Sequence, residues 1–444
     1  MPQSPHEPEQ TPVSGRGTRP RGRARQRALL VAALPPGDEH GLSELRELLR
    51  TAGVAGVGEL VQVRERPHPN TYLGTGKLEE LKASIAAADA NLVACDDELS
   101  PRQERNLEAA LGTPVIDRTA IILDIFAAHA HSAEGKLQVE LAQLEYNLAR
   151  MRGLWSHLER LGAGRIDGGI GTRGPGETQI ETDRRLARDR ITGLKRKLDH
   201  VRGSRSVMRA ERERAHLPSV ALAGYTNAGK STLLNALTGA CAGVGDRLFQ
   251  TLDPTTRVLH SGGRDYLLTD TVGFIRKLPH QLVDAFGATL EETRLADLIL
   301  HAVDGSAPED ELQVMTAAVE DVLLEIGAEQ APRVLVLGKA DLIDAQRRAE
   351  LARRHPDAVL VSALTGEGID ALTGRIVAEF AATLQEIELL IPYDEGSRLA
   401  ELHELAGDLE REDRADGVRM RIRLPAGTAA RYSRFAVNGT SAAG

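Results

Sequence analysis

The chain has 444 residues, of which 41% are hydrophobic and 27% charged, and its formal net charge is −9. This composition excludes a collagen, a small disulfide-rich scaffold and a wholly disordered chain, and the length predicts about three domains. Only two cysteines occur, so neither a disulfide framework nor a cysteine-rich zinc site is expected. No run approaches the roughly 20 apolar residues that span a bilayer, and the N-terminus lacks the apolar core of a signal peptide. We therefore expect a cytoplasmic monomer.

Residues 1–27 are predicted to be a disordered basic tail. They contain six arginines and two acids, a local charge of +4, and almost no large apolar residues. Such a composition cannot bury enough surface to fold alone. The alternative is an arm that binds RNA phosphates.

Residues 28–130 are predicted to form a small α/β domain. Strand-like apolar runs alternate with segments of helical spacing, which favours a parallel sheet flanked by helices. Ser100 followed by Pro101 is a typical helix start, because serine caps the helix and proline suits its first turn. The strand-like runs cover residues 28–34, 58–63, 92–95 and 115–116, and the helical segments cover 42–49, 78–88 and 102–111.

Residues 131–216 are predicted to form an antiparallel helical hairpin. One arm has apolar residues at alternating spacings of four and three, which is a heptad pattern that requires a partner helix. From Gly162 to Gly176 the chain is too rich in glycine for a helix, so this segment is expected to be the tip. The heptad residues are Leu137, Leu141, Leu144, Leu148, Met151, Trp155 and Leu158 in the first arm and Ile191, Leu194, Leu198 and Val201 in the second.

The second arm of the hairpin is basic. From Glu181 to Arg214 there are twelve positive and six negative side chains, a local charge of +6. Either these residues form a solvated helix face with internal ion pairs, or they bind RNA. Without the tail and this arm, the rest of the chain carries −19.

Residues 217–382 are predicted to be a P-loop domain. The run from Gly224 to Ser231 matches G-x-x-x-x-G-K-S, follows an apolar run and opens a helical pattern. Backbone N–H groups of such a loop, with the helix N-terminus, bind phosphates. Lys230 would contact the β- and γ-phosphates and Ser231 would bind Mg²⁺.

Three later segments, each after a strand-like run, complete the pattern of a GTPase in the expected order, and Thr251 lies between the phosphate loop and the first of them. Asp270 ends a strand-like run and would bind Mg²⁺ through water, while the Gly273 N–H would bind the γ-phosphate. Thr251 is placed to close over the metal. Asp341 can accept both N–H groups of a guanine edge, and residues 362–364 follow another apolar run.

One position departs from the usual guanine-binding motif Asn-Lys-x-Asp. Its first place is Gly338, so the amide that binds the base and the phosphate loop is missing. This loss is expected to weaken nucleotide binding by about 1–2 kcal/mol. Guanine preference should remain because Asp341 is present.

Several motifs resemble the HflX family of translational GTPases, in the Obg–HflX superfamily, over about residues 28–395. The most specific is the Gly-Pro-Gly-Glu-Thr-Gln run at 174–179, within a motif at 168–181. Others lie at 71–80, 96–108, 116–126 and 134–143, and two resemble the family's switch regions: residues 249–254 (switch 1) and 270–275 (switch 2). Residues 383–444, matching only loosely, are expected to be a small α+β region.

The resemblance implies binding to the large ribosomal subunit and splitting of stalled or idle ribosomes. It also implies that the tip from Gly162 to Gly176 reaches ribosomal RNA and that the arm from Glu181 to Arg214 contacts it. Arg165 and Arg173 can pair with phosphates. The family's N-terminal domain is also reported to bind adenine nucleotides, but residues 73–77 are too short for a phosphate loop and are expected to be a turn before a helix.

The predicted site has three catalytic residues, Lys230, Thr251 and Gly273, and two Mg²⁺ ligands, Ser231 and Thr251. The motifs assign GTP binding to Gly224, Tyr225, Thr226, Asn227, Ala228, Gly229, Lys230, Ser231, Thr251, Asp270, Thr271, Val272, Gly273, Gly338, Lys339, Ala340, Asp341, Ser362, Ala363 and Leu364. The resemblance adds Phe249, Gln250, Leu252 and Asp253 of switch 1.

The place of the water-orienting glutamine of Ras-like enzymes is taken by Phe274, which cannot polarise water. We therefore expect slow intrinsic hydrolysis that the ribosome stimulates. Arg247, Arg257 and Arg276 flank the switches but are not assigned to catalysis. Two alternatives to ribosome splitting are a GTP-timed factor for large-subunit assembly and an RNA-remodelling ATPase that acts through the N-terminal domain.

Overall fold

The computed structural model describes residues 26–37, 41–151, 175–214, 217–240, 248–279, 282, 286–405 and 409–437. These residues form three β-sheets, the helices that cover them and one helical hairpin. The predictions for residues 1–25 of the tail and 162–174 of the tip lie outside the described residues, as do those for Trp155, Leu158 and Arg247.

The first sheet is parallel, with strand order β2-β1-β3-β4. Alternate residues of β1 face opposite sides: Leu30 packs with residues of α1 and α4, and Leu29 with residues of α2 and α3. Both faces are therefore covered, as is typical of parallel sheets. The elements are β1 (Arg27–Leu34), α1 (Ser43–Thr51), β2 (Ala55–Val63), α2 (Thr75–Ala87), β3 (Leu92–Cys95), α3 (Pro101–Leu111), β4 (Val115–Asp117) and α4 (Arg118–His129).

The hairpin consists of α5 (Ala133–Arg150) and α6 (Pro175–Arg214). Leu141 of α5 is buried with Ile191, Leu194 and Leu198 of α6, as the heptad pattern predicts. Two ion pairs flank this seam, Glu140 with Arg190 and Glu145 with Lys195, and each joins equivalent heptad positions. Equivalent flanking positions face one another only when the two helices are antiparallel.

The structure begins α6 at Pro175, so the last two residues of the predicted tip, Pro175 and Gly176, belong to the helix. Proline has a fixed φ and no N–H, and both features suit the first turn of a helix. The glycine-rich segment was expected to be non-helical up to Gly176, and this expectation is wrong for Pro175 and Gly176.

The second sheet has six strands in the order β10-β9-β8-β5-β7-β6, and only the β6–β7 pair is antiparallel. The carboxyl ends of the parallel strands meet at one edge, where ligands bind in sheets of this kind. The elements are β5 (Ser219–Gly224), α7 (Lys230–Thr238), β6 (Thr255–Ser261), β7 (Arg264–Asp270), α8 (Gly287–Arg294), β8 (Leu298–Asp304), α9 (Glu309–Glu325), β9 (Arg333–Gly338), a 3₁₀ turn (Ala340–Leu342), α10 (Ala345–Arg354), β10 (Val359–Leu360) and α11 (Ile369–Ala382).

The third sheet is antiparallel, with order β11-β13-β12. Leu389 and Met420 lie on its buried face with Leu402 and Tyr432, whereas Arg419 on the other face pairs with Glu388. This alternation along the strands is typical of a sheet with one wet face. The elements are β11 (Leu384–Ile391), a 3₁₀ turn (Tyr393–Glu395), α12 (Gly396–Leu405), β12 (Leu409–Arg414), β13 (Gly417–Pro425), α13 (Ala426–Arg431) and a 3₁₀ turn (Ser433–Phe435).

The first and second sheets share one hydrophobic core. The Phe126 ring of α4 meets the rings of Phe249 and Phe286 edge to face, with centroids 4.7 and 4.9 Å apart. Edge-to-face pairs are favoured by the ring quadrupoles. Phe249 and Phe286, which lie between β5 and β8 in the chain, are thereby packed against α4 of the first sheet.

Candidate nucleotide-binding site

The predicted phosphate loop connects β5 to α7 at the carboxyl edge of the second sheet. Asn227 takes the left-handed backbone conformation, with φ of 61°, which asparagine tolerates better than most residues. Lys230 is the first residue of α7, so the N-terminal N–H groups of this helix point at the loop. The strand, the tight loop and the helix together form an anion-binding cradle.

Lys230 is a buried cation inside this loop. Its Nζ donates to the carbonyl oxygens of Gly224 and Tyr225 at 3.1 and 2.9 Å. Burial lowers the pKa of Lys230 to about 8, while the nearby Asp270 acts to raise it. The side chain is therefore placed where it can neutralise negative charge at the loop.

Oxygen ligands cluster beside the lysine. The hydroxyls of Ser231 and Thr251 lie 2.8 Å apart, and the Ser231 hydroxyl donates to Asp270 Oδ2 at 2.5 Å. Asp270 is 1% exposed, and its Oδ1 has no hydrogen-bond partner among the described residues. Burial raises the pKa of Asp270, while Lys230 and the two hydroxyls act to lower it. This donor set fits a hard divalent cation such as Mg²⁺.

Switch 2 is attached to the phosphate loop through its backbone. The Phe274 N–H donates to Gly224 O at 3.0 Å, and the Thr226 N–H donates to Phe274 O at 2.7 Å. A Cβ on Gly273 would lie 2.9 Å from Thr226 Cα, so only glycine permits this approach. The Phe274 ring is fully buried, so it presents no group to the cleft.

The predicted base-binding residues come together at the ends of β9 and β10. Ser362 Oγ donates to Asp341 Oδ1 at 2.6 Å, and Lys339 pairs with Asp304 at 2.6 Å. Asp341 is exposed and Leu364 is 81% exposed. A Cβ on Gly338 would lie 3.4 Å from the Ala228 carbonyl oxygen, so an asparagine here would reach the phosphate loop.

Most of the predicted phosphate-side residues line one cleft, but some side chains turn away from it. The Tyr225 hydroxyl donates to Glu44 of α1, Leu252 is buried in the shared core, and the Asp253 carboxylate lies against Ser132. These three side chains therefore point away from the cleft, although the Tyr225 carbonyl still contacts Lys230. The cleft is lined by Thr226, Asn227, Gly229, Lys230, Ser231, Thr232, Phe249, Gln250, Thr251, Thr271 and Gly273, of which Thr232 was not predicted.

Four family models match successive parts of the chain. They are described as GTP-binding GTPase N-terminal (residues 39–127), GTP-binding GTPase Middle Region (129–212), 50S ribosome-binding GTPase (219–339) and HflX C-terminal domain (348–442). The chain is also 48% identical to GTPase HflX of Lacrimispora saccharolytica over 90% of its own length and 94% of that protein.

The chain belongs to the HflX family of GTPases. Two further relatives agree: GTPase HflX of Caldanaerobacter subterraneus is 44% identical, over 94% of this chain and 95% of that protein. GTPase HflX of Escherichia coli is 43% identical, over 87% and 90%. As a member of this family the chain binds and hydrolyses GTP. No helix among the described residues is long and apolar enough to cross a membrane.

In this HflX chain, a buried charge network joins the first sheet to the nucleotide site. Arg118 is 1% exposed and donates to Asp96 at 2.8 Å, to Glu44 at 2.5 Å and to the Arg276 carbonyl at 3.0 Å. The Arg276 N–H donates to the Tyr225 hydroxyl at 2.9 Å. The sequence did not predict this network, because no spacing or motif indicates that Arg118 and Glu44 contact each other across the fold.

Proposed function

We propose that the chain is a cytoplasmic GTPase whose hydrolysis is stimulated by the large ribosomal subunit and that it splits stalled or idle ribosomes. The segment from Gly162 to Gly176 and the arm from Glu181 to Arg214 would contact ribosomal RNA. The match of residues 219–339 to a model described as 50S ribosome-binding GTPase supports this proposal. It is also supported by the charge on α6.

At the nucleotide, Lys230 and the Gly273 N–H would bind the γ-phosphate, and Ser231 and Thr251 would hold Mg²⁺ with Asp270 behind them. A bound Mg²⁺ would neutralise charge that develops on the phosphates. The described residues place Lys230 and Asp270 in a buried pocket, where such charges interact more strongly than in water. Since Phe274 cannot orient water, the ribosome would order or supply the missing group.

One observation on α6 carries the ribosomal part of the proposal. Arg185, Arg188 and Arg196 are exposed, and within the described part of the chain none of them forms an ion pair. Arg185 and Arg196 are eleven residues apart, which is about three helical turns, so they share one face. That face is opposite Leu194, which is buried against α5. Unpaired arginines in a row are typical of a surface that binds RNA phosphates.

The test compares GTP hydrolysis with and without purified large subunits. We expect strong stimulation in the wild type and about a tenfold or greater weakening of subunit binding in the triple variant Arg185→Ala, Arg188→Ala, Arg196→Ala. The matched control removes Arg411, Arg421 and Arg423 from the third sheet, a change of equal charge. Equal losses in both triple variants would contradict a specific role for α6.

Sucrose-gradient sedimentation with a non-hydrolysable GTP analogue separates splitting from assembly. Loss of the intact-ribosome peak supports splitting. Association only with precursor particles would instead support the GTP-timed assembly factor.

A further inference from the structure

Switch 1 contacts α4 on one side of Thr251 and the start of α5 on the other side. On one side, the Phe249 ring packs on Phe126 of α4 and is 2% exposed. On the other side, Asp253 contacts the N-terminus of α5. Thr251 lies between these two attachments, with its hydroxyl 2.8 Å from that of Ser231.

Three donors hold the Asp253 carboxylate. Its Oδ2 accepts from the N–H groups of Ser132 and His131 at 2.7 and 3.1 Å, and its Oδ1 accepts from the Ser132 hydroxyl. Ser132 is the N-cap of α5, and its Oγ also accepts from the Gly135 N–H at 2.8 Å. A carboxylate is stabilised at a helix N-terminus by the free N–H groups and the helix dipole.

Gly135 shows how closely the two elements meet. A Cβ at this position would lie 2.4 Å from Asp253 Oδ1, a distance that real side chains do not show. The first turn of α5 is thus shaped to receive the carboxylate. On the other side of Thr251, Phe249 has a left-handed backbone conformation, with φ of 55°. Such a conformation persists only where the surrounding contacts hold it, so switch 1 is firmly packed at this residue too.

We propose that Asp253 is a positioning residue for GTP hydrolysis: bound to Ser132 and His131, it holds Thr251 beside Ser231, where Thr251 closes over the metal and the γ-phosphate. The inference rests on the metal-binding role proposed for Thr251. The Asp253 carboxylate lies against Ser132 and His131 rather than in the cleft, and it acts by restricting Leu252, the one residue between itself and Thr251. Ordering the segment in advance reduces the entropy that GTP binding must otherwise remove.

The test is the affinity of the full-length chain for GDP and for the non-hydrolysable GTP analogue GMPPNP, both with Mg²⁺. We expect Asp253→Ala to weaken GMPPNP binding about tenfold, the loss typical of hydrogen bonds to a charged group, while GDP binding changes less than about twofold. Thr251→Ala should show the same selective loss. The double variant should show no further loss, since both changes remove one function.

A matched control has the same contact elsewhere. Asp297 Oδ2 accepts from the N–H and the hydroxyl of Ser219 at 2.8 and 2.7 Å, at the end of β5 away from the phosphate loop. Asp297→Ala should leave the ratio of the two affinities unchanged. A second pair of variants covers poor folding of Asp253→Ala: Ser132→Ala should weaken GMPPNP selectively, and Ser132→Thr should restore it.

The outcomes separate the inference from the role proposed for Thr251. If Thr251→Ala is selective but Asp253→Ala and Ser132→Ala weaken both nucleotides equally, the contact is merely structural and the positioning inference is wrong. If Thr251→Ala itself has no selective effect, the metal role of Thr251 fails, and the positioning inference fails with it.

Discussion

The two ends of the nucleotide site differ in how they are built. At the phosphate end, Lys230 is 6% exposed and Asp270 1% exposed, and both lie beside segments packed on the first sheet. At the base end, Leu364 is 81% and Leu342 66% exposed, and Asp341 has a single side-chain hydrogen bond from Ser362.

This difference indicates a division of roles. The phosphate end is where GTP and GDP differ, and it is joined to the first sheet through Arg118 and to α5 through Asp253. Under the proposed roles, a change in switch 1 would be transmitted to α5 through the contact of Asp253 with Ser132. The base end would be common to both nucleotides. Among the described residues its side chains form no hydrogen bond or ion pair with Arg118 or α5, so we expect it to determine which base is bound.

The largest expected effect breaks the attachment of the phosphate end. Arg118→Met would remove the fully buried cation that bridges Glu44 and Asp96, leaving them only Arg276 at 3.4 Å and Lys277 at 3.1 Å, respectively. Removing one partner of a buried ion pair typically costs about 3–5 kcal/mol. Because these second partners remain, we expect a loss at the lower end of that range, about 3 kcal/mol, in the free energy of unfolding measured with urea. Arg257→Met, at an exposed position of β6, is the control, and a loss below about 1 kcal/mol for Arg118→Met would refute the importance of this network.

The next prediction removes the cation of the phosphate end itself. Lys230→Ala should lower the rate of GTP hydrolysis about 10²–10³-fold, the usual cost of losing one preorganised charge donor. Circular dichroism should show an unchanged fold, and Lys82→Ala, at a half-buried position of α2 where the lysine pairs only with Glu79, should keep full activity. ATP hydrolysis that survives in Lys230→Ala would support the ATPase alternative for the N-terminal domain.

A third prediction concerns β8, which lies between β5 and β9 and thus beneath both ends. His301 is 4% exposed and its Nε2 has no partner among the described residues. Burial, together with repulsion by Arg333 and Lys230, lowers the pKa of His301 to about 4. The unfolded chain, with a histidine pKa of about 6.5, binds this proton more readily. Stability is therefore lost as pH falls through the window between these values.

The expected size is about 2–3 kcal/mol between pH 6.5 and 4, from the size of the pKa shift. His301→Leu should lack this part of the acid sensitivity, which urea unfolding at several pH values would measure. Parallel losses in wild type and variant would show that other groups cause it. Because β8 supports both ends equally, the ratio of GTP to GDP affinity should not change.

The contrast also explains what could be predicted from the sequence. The phosphate loop and the heptad seam depend on neighbours a few residues apart, so their spacing alone predicts them. The contacts of Tyr225 with Glu44 and of Asp253 with Ser132 join residues far apart in the chain. A motif shows where a residue lies along the chain but not which way its side chain points. For this reason Tyr225 and Asp253 were assigned to the nucleotide.

The smallest effect concerns the base end, where Gly338→Asn should strengthen binding. Gly338 ends β9 outside the left-handed region, so asparagine fits its backbone. An amide there can donate to the Ala228 carbonyl and contact the base, and these bonds are worth about 1–2 kcal/mol, or about 5- to 30-fold in Kd. Titration calorimetry should show the same gain for GDP and GMPPNP, since both share the base.

Gly338→Ala adds the Cβ without the amide, so it should show no gain in nucleotide affinity. A gain for GMPPNP alone would contradict the division between the two ends, because the base end would then respond to the γ-phosphate.

Competition in the wild type tests the assignment of Asp341. GTP should displace a bound guanine nucleotide far better than ATP, because adenine does not offer the N–H pair that a carboxylate accepts. Equal competition by ATP would contradict the assignment of Asp341 to guanine binding. The asparagine of Gly338→Asn would then have no guanine to contact.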